Sequence, residues 1–179
     1  MRHRPTSPIP TAALAVLLAL AAGAPPAAAA EPRLIGSFRD WDAYRVEEET
    51  GPVCFMSSMP KKQEGDFSRR GDVFALVTHR PSDRSWNVVS FVAGYSYAAD
   101  TEVSVKVGSQ EFRLFTDGDT AWTRDDGADR SLVQAIRQAA SMVVRGTSSR
   151  GTRTVDTYSL AGSSAAFQAI SQACGAERG

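Results

Sequence analysis

The sequence predicts a mainly β (α+β) fold, an antiparallel β-sandwich or partly open barrel with two short helices. Runs of β-branched and aromatic residues recur between turn residues, whereas only two segments show helical spacing of apolar residues. The clearest pair of runs is 72–80 and 86–93, joined by the polar segment 81–85, which is typical of a hairpin. Both runs carry apolar residues at successive positions. We therefore expect both faces to be covered and this hairpin to lie at the centre of the sheet.

Residues 1–30 have the order of a secretory signal peptide. Arg2 and Arg4 precede the apolar run 12–22, and the alanines at 28–30 offer a cleavage site. The apolar run is shorter than the roughly 20 residues that a spanning helix needs, so we expect cleavage and no membrane span afterwards. A single domain, 31–179, would then remain in the periplasm, and surface-associated or secreted forms stay open.

Charge gives no sign of a nucleic-acid partner. The chain has 20 basic and 20 acidic residues, and removal of the signal peptide would take away two arginines and no acid. A near-neutral balance lacks the basic footprint that nucleic acids or acidic membranes attract. No phosphate-cradling glycine motif is present either, which disfavours nucleotide binding.

Cys54 and Cys174 are the two cysteines of the chain. An even count in an oxidising compartment favours a disulfide, and two separate buried thiols are the alternative. Their spacing excludes a CxxC redox site. A metal site is disfavoured, because His79 is the one histidine after residue 30 and the thiols are not clustered. We expect no cofactor.

The first part of the domain predicts a hairpin and a loop. Residues 31–39 form an extended lead-in, and a strand at 41–46 pairs with one at 53–59 across an acidic turn. The segment 60–71 is polar and predicts a solvated surface loop, with an anion site as the alternative. Its basic residues are Lys61, Lys62, Arg69 and Arg70.

A second hairpin has a register that can be checked. In 102–107 the valines alternate with polar residues, and Gly108 opens a two-residue turn. This turn pairs Val105 with Phe112 and Val103 with Leu114. An Asp-Gly turn at 117–118 then returns 120–122 along the preceding strand, which places Trp122 beside Arg113 and Phe115. The link 94–100 contributes two tyrosines that we expect to cap the core.

Two helices and a further hairpin complete the domain. Asp129 is predicted to cap a helix that extends to Ala139, and strands at 142–147 and 153–160 follow. Ser163 or Ser164 is predicted to cap the last helix. Its apolar stripe contains Phe167, Ile170 and Cys174, which faces Cys174 toward the core as a bridge to the strand 53–59 would require.

Candidate chemical groups are few. His79 is predicted to be an edge or loop-packing histidine, because it lies near a strand end and no nucleophile elbow is present. Aspartates surround Trp122, and turn and capping roles explain most of them. Calcium binding and a pair of hydrolytic carboxylates are the alternatives. These aspartates are Asp117, Asp119, Asp125, Asp126 and Asp129.

Arginines near a predicted turn offer a candidate anion-binding site. Arg145, Arg150 and Arg153 accompany two Gly-Thr steps, and their guanidinium groups could bind an anion. The alternative is a Gly/Ser turn with solvated arginines.

Several runs resemble the invasion-associated locus B family of bacterial exported proteins. These runs are Phe38-x-x-Trp41, Val53-Cys-Phe-Met56, Arg70-Gly-Asp-Val73, Val77-Thr-His-Arg-Pro81, Asn87-Val-Val-Ser90, Gly94-Tyr95, Leu114-Phe-Thr-Asp-Gly-Asp-Thr-Ala-Trp122, Met142-Val-Val144, Gly146-Thr-Ser-Ser-Arg-Gly-Thr152 and Ala169-Ile-Ser-Gln-Ala-Cys-Gly175. The resemblance implies a periplasmic or surface-associated, non-catalytic, β-rich domain with no catalytic residues to carry over. Many members have an extra cysteine where this chain has residues 43–45, which leaves Cys54–Cys174 as the implied pairing.

These observations predict a non-enzymatic exported binding or interaction protein of the cell envelope. Its partner would be an envelope or host-surface protein or polymer, with host-cell adhesion or invasion as the more specific form at the surface. The alternative is a periplasmic hydrolase. That alternative requires a pocket that joins at least two of the four aspartates Asp117, Asp119, Asp125 and Asp126.

Overall fold

The computed structural model describes residues 31–176. The predicted signal peptide and the last three residues of the predicted domain lie outside the described residues. In the described part there are eleven strands, two α-helices and a 3-10 turn at Pro81–Asp83. The strands are β1 Arg33–Phe38, β2 Trp41–Glu48, β3 Gly51–Ser58, β4 Lys62–Gly65, β5 Phe74–Arg80, β6 Ser85–Val92, β7 Val103–Val107, β8 Gln110–Asp117, β9 Thr120–Trp122, β10 Ser141–Thr147 and β11 Arg153–Ser159; the helices are α1 Asp126–Gln138 and α2 Ser163–Cys174. Within 31–176 there is no helix long and apolar enough to cross a membrane.

All eleven strands belong to one antiparallel sheet, in the order β1-β2-β3-β5-β6-β9-β8-β7-β10-β11-β4. Strand β8 joins the two halves, because its first part pairs with β7 and its last part with β9. The halves pack against each other, with the rings of Phe91 and Tyr158 6.3 Å apart and edge-on. Trp41 Nε1 donates to Ser159 O at 3.1 Å across the same interior. The predicted mainly β fold is confirmed, with all the described strands in one open antiparallel sheet.

The predicted hairpin registers are confirmed. Val105 lies opposite Phe112 and Val103 opposite Leu114. Gly108 has a φ of 58°, the left-handed conformation that a turn of this length requires. The Asp-Gly turn likewise returns β9 along β8, with Trp122 opposite Phe115. In this half of the sheet, the strand register is therefore determined by the turn residues and by the alternation of apolar residues within each hairpin.

Strands β5 and β6 form the predicted central hairpin. One face is fully buried, with Ala75 and Val77 on β5 and Val89 and Phe91 on β6. The opposite face is half-buried. The hairpin lies inside the sheet, between β3 and β9, so both of its edges are hydrogen-bonded.

The prediction of a solvated loop at 60–71 is partly wrong. Residues Lys62–Gly65 form the edge strand β4, paired with β11, and Lys61 N donates to Thr157 O at 2.8 Å. This strand contains no apolar residue, so its sequence carries no alternation that could reveal it. Its hydrogen bonds to β11 are what order it.

Arg70 is buried as well, which the loop prediction did not anticipate. Its side chain is 4% exposed and forms two hydrogen bonds to Asp156, at 2.6 and 2.7 Å. Nε donates to Ala93 O at 2.7 Å. The guanidinium also lies over the rings of Phe67 and Tyr95, at 5.5 and 5.0 Å from their centroids. Arg70 thus joins the segment before β5, the end of β6 and β11.

The helix caps differ from the prediction. Helix α1 begins at Asp126, and Asp125 is its cap, accepting from Ala128 N at 2.9 Å. Asp125 has the same capping chemistry as Asp129 and comes one turn earlier. Asp129 is instead buried, and its Oδ1 accepts from Val89 N at 2.7 Å, which ties α1 to β6.

The hydroxyls predicted to cap α2 bind the end of α1. Ser163 donates to Ile136 O at 2.9 Å and Ser164 donates to Arg137 O at 2.7 Å. Both acceptors are carbonyls of the last turn of α1, which lack intrahelical partners. The residue that precedes α2 is Gly162, with a φ of 95° and its Cα beside Phe38 O, so a side chain would not fit.

The predicted disulfide is present between Cys54 and Cys174, with 5.9 Å between the Cα atoms. It attaches the last turn of α2 to β3. Because His79 is the cross-strand partner of Cys54, the attached helix also covers the end of β5.

We expect Asp156→Asn to destabilise the protein strongly, because it leaves the buried Arg70 guanidinium without its counter-charge. Removal of one partner from such a pair costs about 3–5 kcal/mol. Urea unfolding of the mature domain measures the loss. Glu111→Gln is the matched control, since it removes one carboxylate from an exposed pair with Arg113 and should cost less than about 1 kcal/mol. Equal losses in the two variants would contradict the structural role of the buried pair.

Loss of the disulfide should lower the free energy of unfolding by about 2–5 kcal/mol, because a cross-link over a long loop restricts the unfolded chain. The measurement is urea unfolding with and without a thiol reductant. The double variant Cys54→Ser, Cys174→Ser should match the reduced protein and show no response to reductant. An unchanged midpoint on reduction would count against the bridge.

Candidate functional site

A groove of about 1290 Å³ lies between α1 and α2. The two helices form its walls, and the start of β6 forms its floor. The residues that matter for its chemistry are Trp86 on the floor, Arg130, Gln134 and Arg137 on α1, and Phe167 and Gln168 on α2.

The groove combines positive charge with amides and aromatic rings. Arg130 and Arg137 line it, and none of the lining residues in the described range 31–176 is Asp or Glu. The Arg137 guanidinium lies 4.4 Å from the centroid of the Phe167 ring, a cation–π contact that holds it in place. Such a surface attracts anionic groups and offers amides for hydrogen bonds.

His79 lies beneath the groove, and the prediction that it is an edge or loop-packing residue is wrong. Its side chain is completely buried. The rings of Trp86 and Phe167 lie 5.6 and 5.4 Å from the imidazole. Helix α2 covers the end of β5, so the buried face of this strand extends as far as His79. This burial depends on the packing of α2 against β5, two segments that are distant in sequence.

The hydrogen bonds of His79 determine its tautomer. Asn87 N donates to Nδ1 at 3.1 Å, so the ring proton lies on Nε2, which donates to Ser171 Oγ at 3.2 Å. Burial lowers the pKa of His79 to about 4. A neutral imidazole with its proton on Nε2 cannot accept the Ser171 proton. This serine–histidine pair therefore lacks the base that a hydrolytic dyad needs.

A second cleft, of about 700 Å³, lies where the segment 66–71 faces the turn between β10 and β11. Arg69 and Arg150 line it, together with Arg70 and Tyr95. Of the arginines predicted as an anion site, the structure therefore places Arg150 in a cleft.

The other two arginines of that predicted site lie elsewhere. Arg145 and Arg153 are exposed and do not line this cleft. Arg153 lies opposite Thr147, which is two residues along β10 from Arg145. The side chains of Arg145 and Arg153 therefore lie on the same, outer face of this hairpin.

The aspartates around Trp122 line neither the groove nor the second cleft. Asp117, Asp119, Asp125 and Asp126 are exposed, and neither cleft includes them. Asp129 is buried, and this burial raises its pKa. Within residues 31–176, no group of three or more His, Cys, Asp or Glu side chains is arranged to hold a metal ion. Neither of the two clefts is therefore the pocket that the hydrolase alternative requires.

The family model described as "Invasion associated locus B (IalB) protein" matches residues 41–171. The chain belongs to this family. A crystal structure of invasion associated protein B from Bartonella henselae is similar in fold, with a TM-score of 0.53 and 16% identity. The match covers 77% of this chain and 96% of that one. No curated protein matches the chain.

The arginines of the groove in this IalB protein were missed by sequence reasoning. Arg130, Gln134 and Arg137 are spaced at i, i+4 and i+7 on α1, which places them on one helix face. That spacing was a usable signal of a polar stripe. The second wall could not be inferred, since it depends on where the disulfide holds α2.

Acidification should destabilise this IalB protein through His79. The folded pKa of about 4 lies below the ordinary value of 6.5, so between these pH values the unfolded chain binds a proton that the folded chain does not. Stability therefore falls as the pH falls from about 6.5 toward 4. At pH 4.5 the expected loss relative to pH 7.5 is about 2.5 kcal/mol.

Urea unfolding at both pH values measures this loss in the wild type and in His79→Gln. The glutamine variant keeps other titrating groups, so the difference between the two proteins isolates the histidine. The same pH dependence in both would show that His79 does not titrate as described.

Proposed function

We propose that the mature protein is a non-enzymatic, exported interaction module of the cell envelope. Its groove between α1 and α2 binds an acidic segment of an envelope or host-surface protein. The signal-peptide pattern of residues 1–30 and the membership of the IalB family support export. Adhesion to or invasion of a host cell is the specific form of this function if the protein reaches the surface.

The observation that carries the proposal is the charge of the groove. Arg130 and Arg137 face a concave surface to which residues 31–176 contribute no lining carboxylate, and neither forms an ion pair with a described acidic residue. Arginine is favoured at interfaces because its guanidinium binds carboxylates with two hydrogen bonds. Glutamines on both walls, Gln134 and Gln168, can bond the backbone of an extended chain.

The chemistry of the polar groups supports recognition rather than catalysis. His79 is neutral, with both ring nitrogens hydrogen-bonded, and the tautomer is the wrong one for a base. The carboxylates named as hydrolytic candidates are exposed and line neither cleft. An alternative hydrolase would need two such carboxylates close together in a cleft.

Photo-cross-linking in intact cells tests the proposal. A photoreactive amino acid replaces Gln134 or Gln168, which are exposed in the groove. The same residue at Lys106 or Arg113, exposed on the other half of the sheet, is the matched control. We expect a discrete, protease-sensitive adduct from the groove positions and none from the control positions.

Charge reversal completes the test. Arg130→Glu with Arg137→Glu should reduce the adduct by roughly tenfold or more, since two favourable charge contacts become repulsive. Lys106→Glu should leave the yield unchanged. A protease-resistant adduct would identify an envelope polymer and overturn the choice of a protein partner. Equal adducts at groove and control positions, or none at all, would overturn the groove as the binding surface.

A further inference from the structure

The second cleft has walls that the backbone holds in place. Gly71 N donates to Gly94 O at 2.9 Å, which fixes the segment 66–71 against the end of β6. Ser149 N donates to Ser96 O at 2.8 Å, which fixes the turn between β10 and β11 to the same region. Three separate segments are therefore joined around one concave surface before any ligand is bound.

At the floor of this cleft, the positive charge of Arg70 is neutralised by its ion pair with Asp156. The positive charges at the rim are not neutralised in this way. Arg69 and Arg150 are exposed, line the cleft, and form no ion pair with any acidic residue in 31–176. Among the described residues that line the cleft, Asp66 carries the one carboxylate, so the rim has two positive charges against one negative charge.

Neutral donors accompany the arginines. The hydroxyl-bearing residues Ser68, Ser149 and Thr152 line the cleft. Two guanidinium groups with several hydroxyls match a group that has more than two acceptor oxygens and more than one negative charge, and a phosphoryl group has both. The cleft volume of about 700 Å³ is larger than the volume of a single phosphate ion. The cleft therefore has room for the molecule to which the phosphoryl group is attached.

We propose that this cleft binds a phosphoryl group, with Arg69 and Arg150 as its charged ligands. The source is free phosphate or the headgroup of a phosphorylated lipid. Arg70 acts as a positioning residue, because its bond to Asp156 and its packing on Phe67 and Tyr95 hold the segment that carries Arg69. The site is separate from the groove between α1 and α2, so it does not rest on the proposed function.

The first experiment titrates the isotopically labelled mature protein with inorganic phosphate at constant ionic strength and records backbone amide shifts. We expect saturable shifts confined to residues 66–71, 94–98 and 148–154. The second experiment measures co-sedimentation with phosphatidylcholine vesicles, with and without phosphatidic acid. Binding that needs phosphatidic acid supports the lipid source, whereas phosphate shifts without sedimentation support a free ligand.

The chain offers a matched pair of variants. Arg69→Gln with Arg150→Gln should lower the affinity for either probe at least about tenfold, because both charge-assisted contacts are lost. Arg145→Gln with Arg153→Gln removes the same charge from the outer face of the adjacent hairpin and should bind as the wild type does. All four side chains are exposed, so the fold should tolerate both changes.

Two results would overturn the site. One is the absence of saturable shifts together with the absence of sedimentation. The other is an equal loss of affinity in both double variants, which would show attraction by overall charge. Arg130→Glu with Arg137→Glu should leave phosphate binding intact, so a failure of this site and a failure of the groove can be told apart.

Discussion

The buried ion pair between Arg70 and Asp156 is the contact on which the arrangement of this sheet depends. A buried guanidinium without a counter-charge would cost several kcal/mol, so these residues, 86 positions apart, must meet in the folded chain. Their meeting brings the segment before β5 against β11, on the opposite half of the sheet. Because Nε also bonds Ala93 O, the end of β6 is held at the same point. One side chain thus joins three parts of the sheet and sets the position of Arg69 beside it.

The disulfide has the corresponding role at the groove. It holds the last turn of α2 on β3, and the covered end of β5 becomes core, which is why His79 is buried beside Trp86 and Phe167. The hydroxyls at the start of α2 then bond the last carbonyls of α1 and fix the second wall. Each concave surface is therefore built on a contact between residues distant in sequence, one ionic and one covalent.

The features that could be predicted from the sequence are those that depend on local contacts, and the features that could not be predicted depend on contacts between distant residues. The pairing of Val105 with Phe112 rests on a turn and an alternating pattern that lie within a few residues of each other, and it was predicted correctly. The strand β4 has no apolar residue, so only its partner β11 reveals it. Asp129 has the chemistry of a cap, yet Asp125 takes that role and Asp129 binds a strand amide 40 positions away. The two arginines that share a cleft, Arg69 and Arg150, are likewise brought together only by the fold.

The distribution of polar groups is what supports the proposed role in recognition. The buried groups His79, Asp129 and Asp156 are all occupied by hydrogen bonds within the chain. A catalytic group must be free to reach its substrate, whereas these three buried side chains are engaged within the chain. The exposed arginines that line the two clefts are the reverse case, since they lie at the surface of preformed depressions and form no ion pairs with the described carboxylates. A fold that uses its buried charges for structure and presents its unpaired charges in clefts is suited to binding anionic groups.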